Sequence, residues 1–510
     1  MNYFIGVDVG TTSTKAVLYN EHAQVLTQTK QGYPLYRDAS GMAEQNPDEL
    51  VNAVEKVIHD AAQSADLTTG KLLAVSFSSA NQSVILLDEN HQPITRAMTW
   101  ADTRARKVAS DLKSSPEGKQ IYIKTGTPIH PMSPLTKLIW LNAEMPEKMA
   151  RAKYVADIKS YLFYRLFNVF RVDISIASCT GMLNIETADW DSQALSLAHV
   201  TPEQLPEIVS GTTQQVGLTK EAQTAMEVPG DTPFIYGAFD GALSNLGVGA
   251  LSKDTVAITI GTSAAVRVVT DHPVIDPQQR LFCYAVDNGL WVIGGPLNNG
   301  GDVFQWAVEH LVDASAVQNE NMDAYALANE VIAGVPAGSN GLIFNPYLGG
   351  ERAPIWNANA RGSFFGLSQL HTRADMLRAV MEGINMNINS VFQAVRNLVG
   401  DPKSVTATGG FAQSAVWKQM LADVLNCPVE IPNSFESGCL GAIVMAMKSL
   451  GIVDSLEAVQ QFIGEKEVCK PDSEAVAVYQ KYQPVFEQVQ ELLSPAYARM
   501  ADLQQKTTNH

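Results

Sequence analysis

Short apolar runs of strand character alternate along this chain with longer stretches of helical period, the pattern of an α/β protein. Tyr3 to Val9 reads as a buried strand, Gly10-Thr11-Thr12-Ser13 as a turn and Thr14 to Tyr19 as a second strand. Asn20-Glu21-His22 then turns the chain into Gln24 to Thr29. The arrangement recurs 251 residues further on, where Ile258-Thr259-Ile260-Gly261-Thr262-Ser263 is strand then turn and Ala264 to Thr270 is strand. Here too a later turn, Asp287-Asn288-Gly289, leads into Leu290 to Ile293. Strand-Gly-Thr hairpins are common, so the repeat alone leaves both duplication and coincidence open. Pro47 to Ala62 has helical period, and Leu72 to Ser78 is a strand leading to Val84 to Leu87. Thr372-Arg373-Ala374-Asp375 is a capping box opening a helix with Leu377, Val380, Ile384, Ile388, Val391, Val395 and Leu398 on one stripe, stopped by Gly400. Ser404 to Ala407 is then a strand, Gly409-Gly410 a turn and Ala412 to Leu425 a helix.

With 510 residues the chain exceeds an ordinary single domain of about 100–200 residues. A boundary near Gly247–Leu251 is expected, with an N-terminal domain over 1–247 and a C-terminal one over 248–510. The end, Gln504 to His510, is polar and expected to fray. An apolar content of 46% fits a sizeable core, and the longest clean apolar run, Cys439 to Met447, is too short for a membrane helix, which needs about 20 residues. The opening residues show no basic region or cleavage site, so no secretory signal is expected. Five scattered cysteines without a Cys-x-x-Cys read as free thiols in a reducing cytoplasm. The net charge of −17 argues against nucleic acid and anionic membranes as partners. Attraction of an anionic ligand must then come from local dipoles, a metal or a few placed cations. Nothing in the pattern announces an oligomer, and a homodimer stays open.

The chain has no Gly-x-x-x-x-Gly-Lys-(Ser/Thr) loop, no dinucleotide fingerprint, no protein-kinase signature set and no His-Glu-x-x-His. What remains is a Gly-Thr hairpin in each half. Such a turn offers backbone N–H groups and hydroxyls to phosphate oxygens, and two facing each other across a cleft would grip a triphosphate from both sides. Asp8, at the end of the first strand, is placed either to hold Mg²⁺ or to satisfy turn amides.

Several motifs in order then identify a family. Gly6-Val7-Asp8-Val9-Gly10-Thr11-Thr12-Ser13-Thr14-Lys15 resembles the first phosphate motif of the FGGY carbohydrate kinases, in the actin-like, ribonuclease-H-like ATPase superfamily. Gly261-Thr262-Ser263 is similar to the second phosphate motif, and Gly409-Gly410-Phe411-Ala412-Gln413-Ser414 to the adenosine motif. Met132-Ser133-Pro134-Leu135-Thr136-Lys137-Leu138-Ile139-Trp140-Leu141 resembles the N-terminal signature, with Ala143 where a polar residue is usual. Gly362 to Leu367, with Asp375-Met376 and Ala379 to Glu382, resembles the C-terminal one.

The resemblance implies two related actin-like domains with a nucleotide and substrate cleft between them, and ATP-dependent phosphorylation of a sugar or polyol hydroxyl. It implies ATP and Mg²⁺, with Asp8 organising the metal. Thr11, Thr12, Ser13 and Lys15 are expected at the phosphates from one side and Gly261 and Thr262 from the other. Gly301 and Gln305 fall in the nucleotide pocket, and Gly409, Gly410 and Ser414 under the adenosine. Asp240, at a strand end before a helix, is an N-cap by spacing alone and the catalytic base by resemblance. Asn81, Gln82, Trp100, Asp102 and Met132 are expected at the substrate together with Asp240. Trp100 is otherwise an ordinary core aromatic.

Within the family, Ser76 to Ala80, Thr99 to Arg104, Thr125 to Pro134 and Asp173 to Ser178 with Trp190-Asp191 are similar to the gluconate kinases. These imply D-gluconate as acceptor and 6-phosphogluconate as product. Asn81-Gln82 stands where gluconate and xylulose kinases usually carry Met-His, so a xylulose or other ketose or polyol kinase is the alternative. An actin-like or chaperone-like ATPase would share the hairpins but not the substrate segments.

Overall fold

In the computed structural model, which describes residues 2–67, 70–312, 323–432 and 436–508, the first apolar run becomes strand Asn2–Val9. It pairs antiparallel with Ser13–Asn20, Asp8 standing opposite Lys15, and parallel with Lys71–Ser79. Strand Phe234–Phe239 lies parallel on the far side of Lys71–Ser79, and Val25–Gly32 extends the hairpin at the other edge. Val9 and Phe239 both register against Ser79, so Gly10, Ala80 and Asp240 follow one another along a single edge of the sheet. In open α/β sheets the carboxyl ends of parallel strands are where ligands bind.

This sheet belongs to the first of two compact units, which comprises Met1–Leu251, Val269–Val292 and Glu436–Ile463. Its core packs helix Pro47–Gln63 against the sheet through Leu50, Val54, Val57 and Ile58. Asn46 caps that helix by accepting from the Asp48 amide. The apolar run Cys439–Met447 is the buried body of helix Ser437–Ser449. It packs so closely that a Cβ on Gly441 would come within 2.3 Å of the Leu243 carbonyl, and one on Gly6 within 2.6 Å of that of Cys439.

The second unit comprises Ser252–Val268, Ile293–Phe435 and Gly464–His510. It repeats the device: Thr255–Ile260 pairs antiparallel with Ala264–Thr270 and parallel with Ser404–Thr408. Val429–Pro432 and Lys466–Cys469 continue the sheet. The long helix runs Arg373–Val399, Asp375 bonding back to the Thr372 amide at 2.7 Å, and ends at Gly400. The polar tail does not fray at Gln504: helix Ser473–Thr508 carries on through it, and residues 509–510 lie outside the described residues. Among the described residues no helix is long and apolar enough to cross a membrane.

Candidate active site

In the first unit the Gly10–Ser13 turn is tied down from several sides. Gly10 N donates to Ser13 O at 3.0 Å, the Tyr33 hydroxyl to Gly10 O at 2.5 Å and Gln45 Nε2 to Thr11 O at 2.7 Å. Trp100 Nε1 donates to the Thr11 hydroxyl at 2.9 Å. That bond joins a residue expected at the sugar to one expected at the phosphates. Thr11, Asn81 and Trp100 line one small cavity together with Gln45. Tyr33 and Gln45 have no motif around them, which is why sequence reasoning missed them.

Asp8 is half-buried and accepts from Ser78 Oγ at 2.7 Å. Burial raises its pKa, the Ser78 bond and Lys15 working the other way. Lys15 forms an ion pair with Glu436. Burial pulls the Lys15 pKa down, but Cys439, Glu436 and Asp8 outweigh it, and the ammonium is held above its ordinary value. A Cβ on Gly438 would lie 3.8 Å from Asp8 Oδ1 and 3.9 Å from Ser244 Oγ, so the strand end carrying Asp8 meets the start of helix Ser437–Ser449. Ser244 is one turn beyond Asp240 on helix Asp240–Gly247.

Asp240 is not the N-cap its spacing predicts. Phe239 holds that position, and Asp240 is the first helical residue, exposed, its Oδ1 accepting from Gly241 N at 2.7 Å. The strand that delivers it is clamped by a buried ion pair. Lys159 Nζ donates to Asp173 Oδ2 at 2.7 Å and to the carbonyls of Tyr236 and Ala238 at 2.9 and 3.2 Å. Both side chains are fully buried, and the Phe239 amide donates to Ser175 Oγ at 3.1 Å. Asp173 also caps the short helix Ile174–Ser178 that carries Ser175. Sequence reasoning noted Asp173–Ser178 as a subfamily likeness and missed this clamp, since its members lie far apart in the chain.

The remaining substrate candidates divide. Asn81 Nδ2 approaches Cys179 Sγ at 3.2 Å. Gln82, Asp102 and Met132 are buried. Gln82 Nε2 donates to the Tyr284 hydroxyl at 3.2 Å. The buried Lys137 ammonium binds the carbonyls of Gln82 and Met132 at 2.6 and 2.7 Å. Asp102 accepts from the Ala43 amide at 3.0 Å and pairs with Arg104 at 2.7 Å. Its carboxylate thereby holds the turn beside Trp100.

In the second unit, hairpin turn and helix interlock. Gly301 N donates to Gly261 O at 2.7 Å and Asp302 N to Thr262 O at 3.2 Å, so the turn satisfies two of the open amides of helix Gly301–Leu311. A Cβ on Gly301 would come within 2.7 Å of Gly261 O. Gly409 has a φ of +116°, and a Cβ there would lie 2.1 Å from Ile260 O. Ser414 caps helix Ala415–Leu425 through the Trp417 amide and donates to Asn329 Oδ1 at 2.7 Å. Helix Ala415–Leu425 starts three residues later than the pattern predicts, because Gly410–Gln413 takes a 3₁₀ turn first.

These elements enclose a cavity of about 550 Å³, whose walls include Gly261, Thr262, Gly301, Gln305, Gly410 and Ser414. That is the size of a small-molecule site. Phe304, packed edge-on against Trp417 at 5.0 Å, adds aromatic wall that the motifs did not reveal. In the same unit Glu351 is fully buried, accepting from Asn298 N at 2.5 Å, Asn299 Nδ2 at 2.9 Å and Asn387 Nδ2 at 2.7 Å.

Residues 3–247 match the N-terminal domain of the FGGY family of carbohydrate kinases, and residues 256–450 its C-terminal domain. A gluconokinase of Bacillus subtilis strain 168 is 42% identical over 100% of this chain and 99% of its own. Two Lactobacillus acidophilus structures superpose with a TM-score of 0.93 over 98% of this chain. One is a gluconate kinase, 39% identical over 99% of its length. The other is a ligand-bound xylulose kinase, 38% identical over 100% of its length.

Proposed function

Since the chain belongs to the FGGY family of carbohydrate kinases, with ATP as phosphoryl donor, we propose that it converts D-gluconate to 6-phosphogluconate in the cytoplasm. The full-length identity to a gluconokinase carries the choice of acceptor. The free state of all five cysteines supports a reducing compartment.

In this reading the cavity of the second unit takes the nucleoside, with Gly410 and Ser414 under it and Gln305 at its wall, while the Gly261-Thr262 turn offers amides to the phosphates. Gly409 keeps the turn leading into that cavity in shape. In the first unit Thr11, Thr12 and Ser13 meet the phosphates. Lys15, bound to Glu436, acts there as part of a pair rather than as a bare cation. Asn81 and Trp100 hold the acceptor. Asp240 takes the proton of the attacking hydroxyl as its oxygen bonds to the γ-phosphorus and the bond to ADP breaks. The transfer itself asks for alignment and charge neutralisation more than covalent help.

The residues fit Mg²⁺ in one manner. Among the described residues no group of three or more His, Cys, Asp or Glu forms a cage. Asp8 supplies a half-buried carboxylate with one oxygen bonded to Ser78, which suits an ion completed by water and substrate phosphates. When bound, the metal neutralises phosphate charge. Asp8 holds it in place.

The second reading, a ketose kinase, rests on the ligand-bound xylulose kinase at nearly the same identity. An ADP-release assay over gluconate, xylulose, ribulose, glycerol and fucose decides. Gluconate should turn over fastest; turnover of a ketose with none of gluconate would overturn the proposal.

A further inference from the structure

A second pocket of the first unit, about 290 Å³, carries three cationic side chains. Its apolar wall is Ile94, Met98 and Leu141, and its cations are Arg96, Arg104 and Lys148. Tyr36, Glu44 and Met98 form one cross-strand row of a small sheet beneath it. The Arg96 guanidinium lies 3.8 Å over the Tyr36 ring and that of Arg104 4.8 Å over Trp140. Stacking of this kind fixes a guanidinium plane and leaves its N–H edge to a ligand. Arg104 spends Nε and Nη2 on Asp102 and Glu44. Among the described residues its Nη1 makes no hydrogen bond, and Arg96 and Lys148 pair with no carboxylate. Three cations meet two carboxylates there, Glu44 on the wall and Asp102 behind Arg104, which leaves a net positive spot in a chain of net charge −17.

We propose that this pocket binds a small phosphorylated carboxylic acid and that its occupation slows turnover. The Arg96 edge and the Nη1 of Arg104 suit a phosphate dianion, Lys148 a carboxylate, and the apolar wall a short carbon body. The volume excludes a nucleotide with room for its base and both charged ends. Coupling runs through Arg104. An anion competing with Glu44 for that guanidinium acts on strand Ala43–Gln45, where the Ala43 amide holds Asp102 and Gln45 holds Thr11 O at 2.7 Å. Loosening the strand loosens the Thr11 turn.

The test is titration calorimetry of the full chain with 3-phosphoglycerate, glycerate and inorganic phosphate. It is repeated with Arg96→Ala/Lys148→Ala and with Lys148→Glu. Loss of charge-assisted bonds should weaken 3-phosphoglycerate by about tenfold or more in both variants. Turnover without the acid should stay at the wild-type level. Inhibition of the wild type should persist at saturating sugar and ATP and vanish in the variants. Equal affinity in wild type and variants overturns the site. Inorganic phosphate binding as tightly as 3-phosphoglycerate overturns the ligand class. Inhibition fully relieved by excess sugar or ATP overturns the coupling.

Discussion

The two Gly-Thr hairpins share one backbone plan and diverge in what they carry. In each, an antiparallel pair is followed by a parallel neighbour, and the turn glycine donates to the carbonyl of a serine closing the turn, at 3.0 Å in Gly10 and 2.9 Å in Gly261. The first turn has four residues between Val9 and Thr14, the second three between Ile260 and Ala264. The first presents charge: Asp8 and Lys15 stand opposite each other, with Glu436 on Lys15. The second presents none at the matching place, where Thr259 faces Ala265. It is instead packed by Gly301 and opens on a cavity with aromatic walls. The same fold element has been given over to charge in one unit and to shape in the other. Substitutions in the first should therefore act on the chemical step, those in the second on nucleotide affinity.

The widest separation is expected at Asp240. Asp240→Asn keeps the size and the bond to the Gly241 amide but cannot take a proton. Its kcat should fall by about 10²–10⁴-fold with the KM for ATP nearly unchanged. Near-wild-type turnover in a folded variant would reduce Asp240 to a helix-start residue. The opposite signature belongs to Gly301→Val, whose side chain must displace the Gly261 carbonyl. Misplacing the turn should cost on the order of 10²-fold in kcat/KM for ATP, while the KM for the sugar stays put. If the sugar KM moves with it, the division between the units fails. A smaller effect tests the link within the first unit. Trp100→Phe removes the bond to Thr11 Oγ1, worth about 0.5–1.5 kcal/mol. Both the sugar KM and kcat should shift, by no more than roughly tenfold. A change in the sugar KM alone would show that the bond does not couple sugar to phosphate.

Much of this was legible in the chain because it is local. The hairpin turns, helix Pro47–Gln63, the Thr372–Asp375 box and the Gly400 stop are each set by a few neighbouring residues. Six of the nucleotide candidates line one cavity for the same reason: each sits in, or within one helical turn of, a short glycine-rich motif. What stayed hidden is non-local. The Lys159–Asp173 clamp, the Gln45 tie on Thr11 and the Phe304–Trp417 wall join residues far apart in sequence, and no periodicity announces such pairs. Of the partners of Asp102, Arg104 lies two residues on, but the Ala43 amide lies across the unit and was hidden for the same reason. Spacing also misplaced Asp240 by one position, since Phe239 starts the helix through its backbone alone.

The last test concerns stability and one of the second unit's buried carboxyls. Glu351 is fully buried under the Asn298–Gly301 segment, and burial raises its pKa from 4.5 to about 7 against the pull of its amide donors. A carboxyl whose folded pKa lies above its unfolded value binds the extra proton in the folded state. Its contribution to stability is therefore whole below pH 4.5, falls as pH rises, and is lost above about 7. Glu351→Gln mimics the protonated form. The new amide needs an acceptor, and the Oδ1 of Asn387, buried without a hydrogen-bond partner, becomes one when that side chain turns over. The variant's urea midpoints at pH 5 and pH 7.5 should thus lie closer together than those of the wild type, which loses stability across this interval relative to the variant, and turnover at neutral pH stays close to wild type. Parallel pH dependence in the two proteins would mean that Glu351 is ionised throughout, its four donors outweighing the cost of burial.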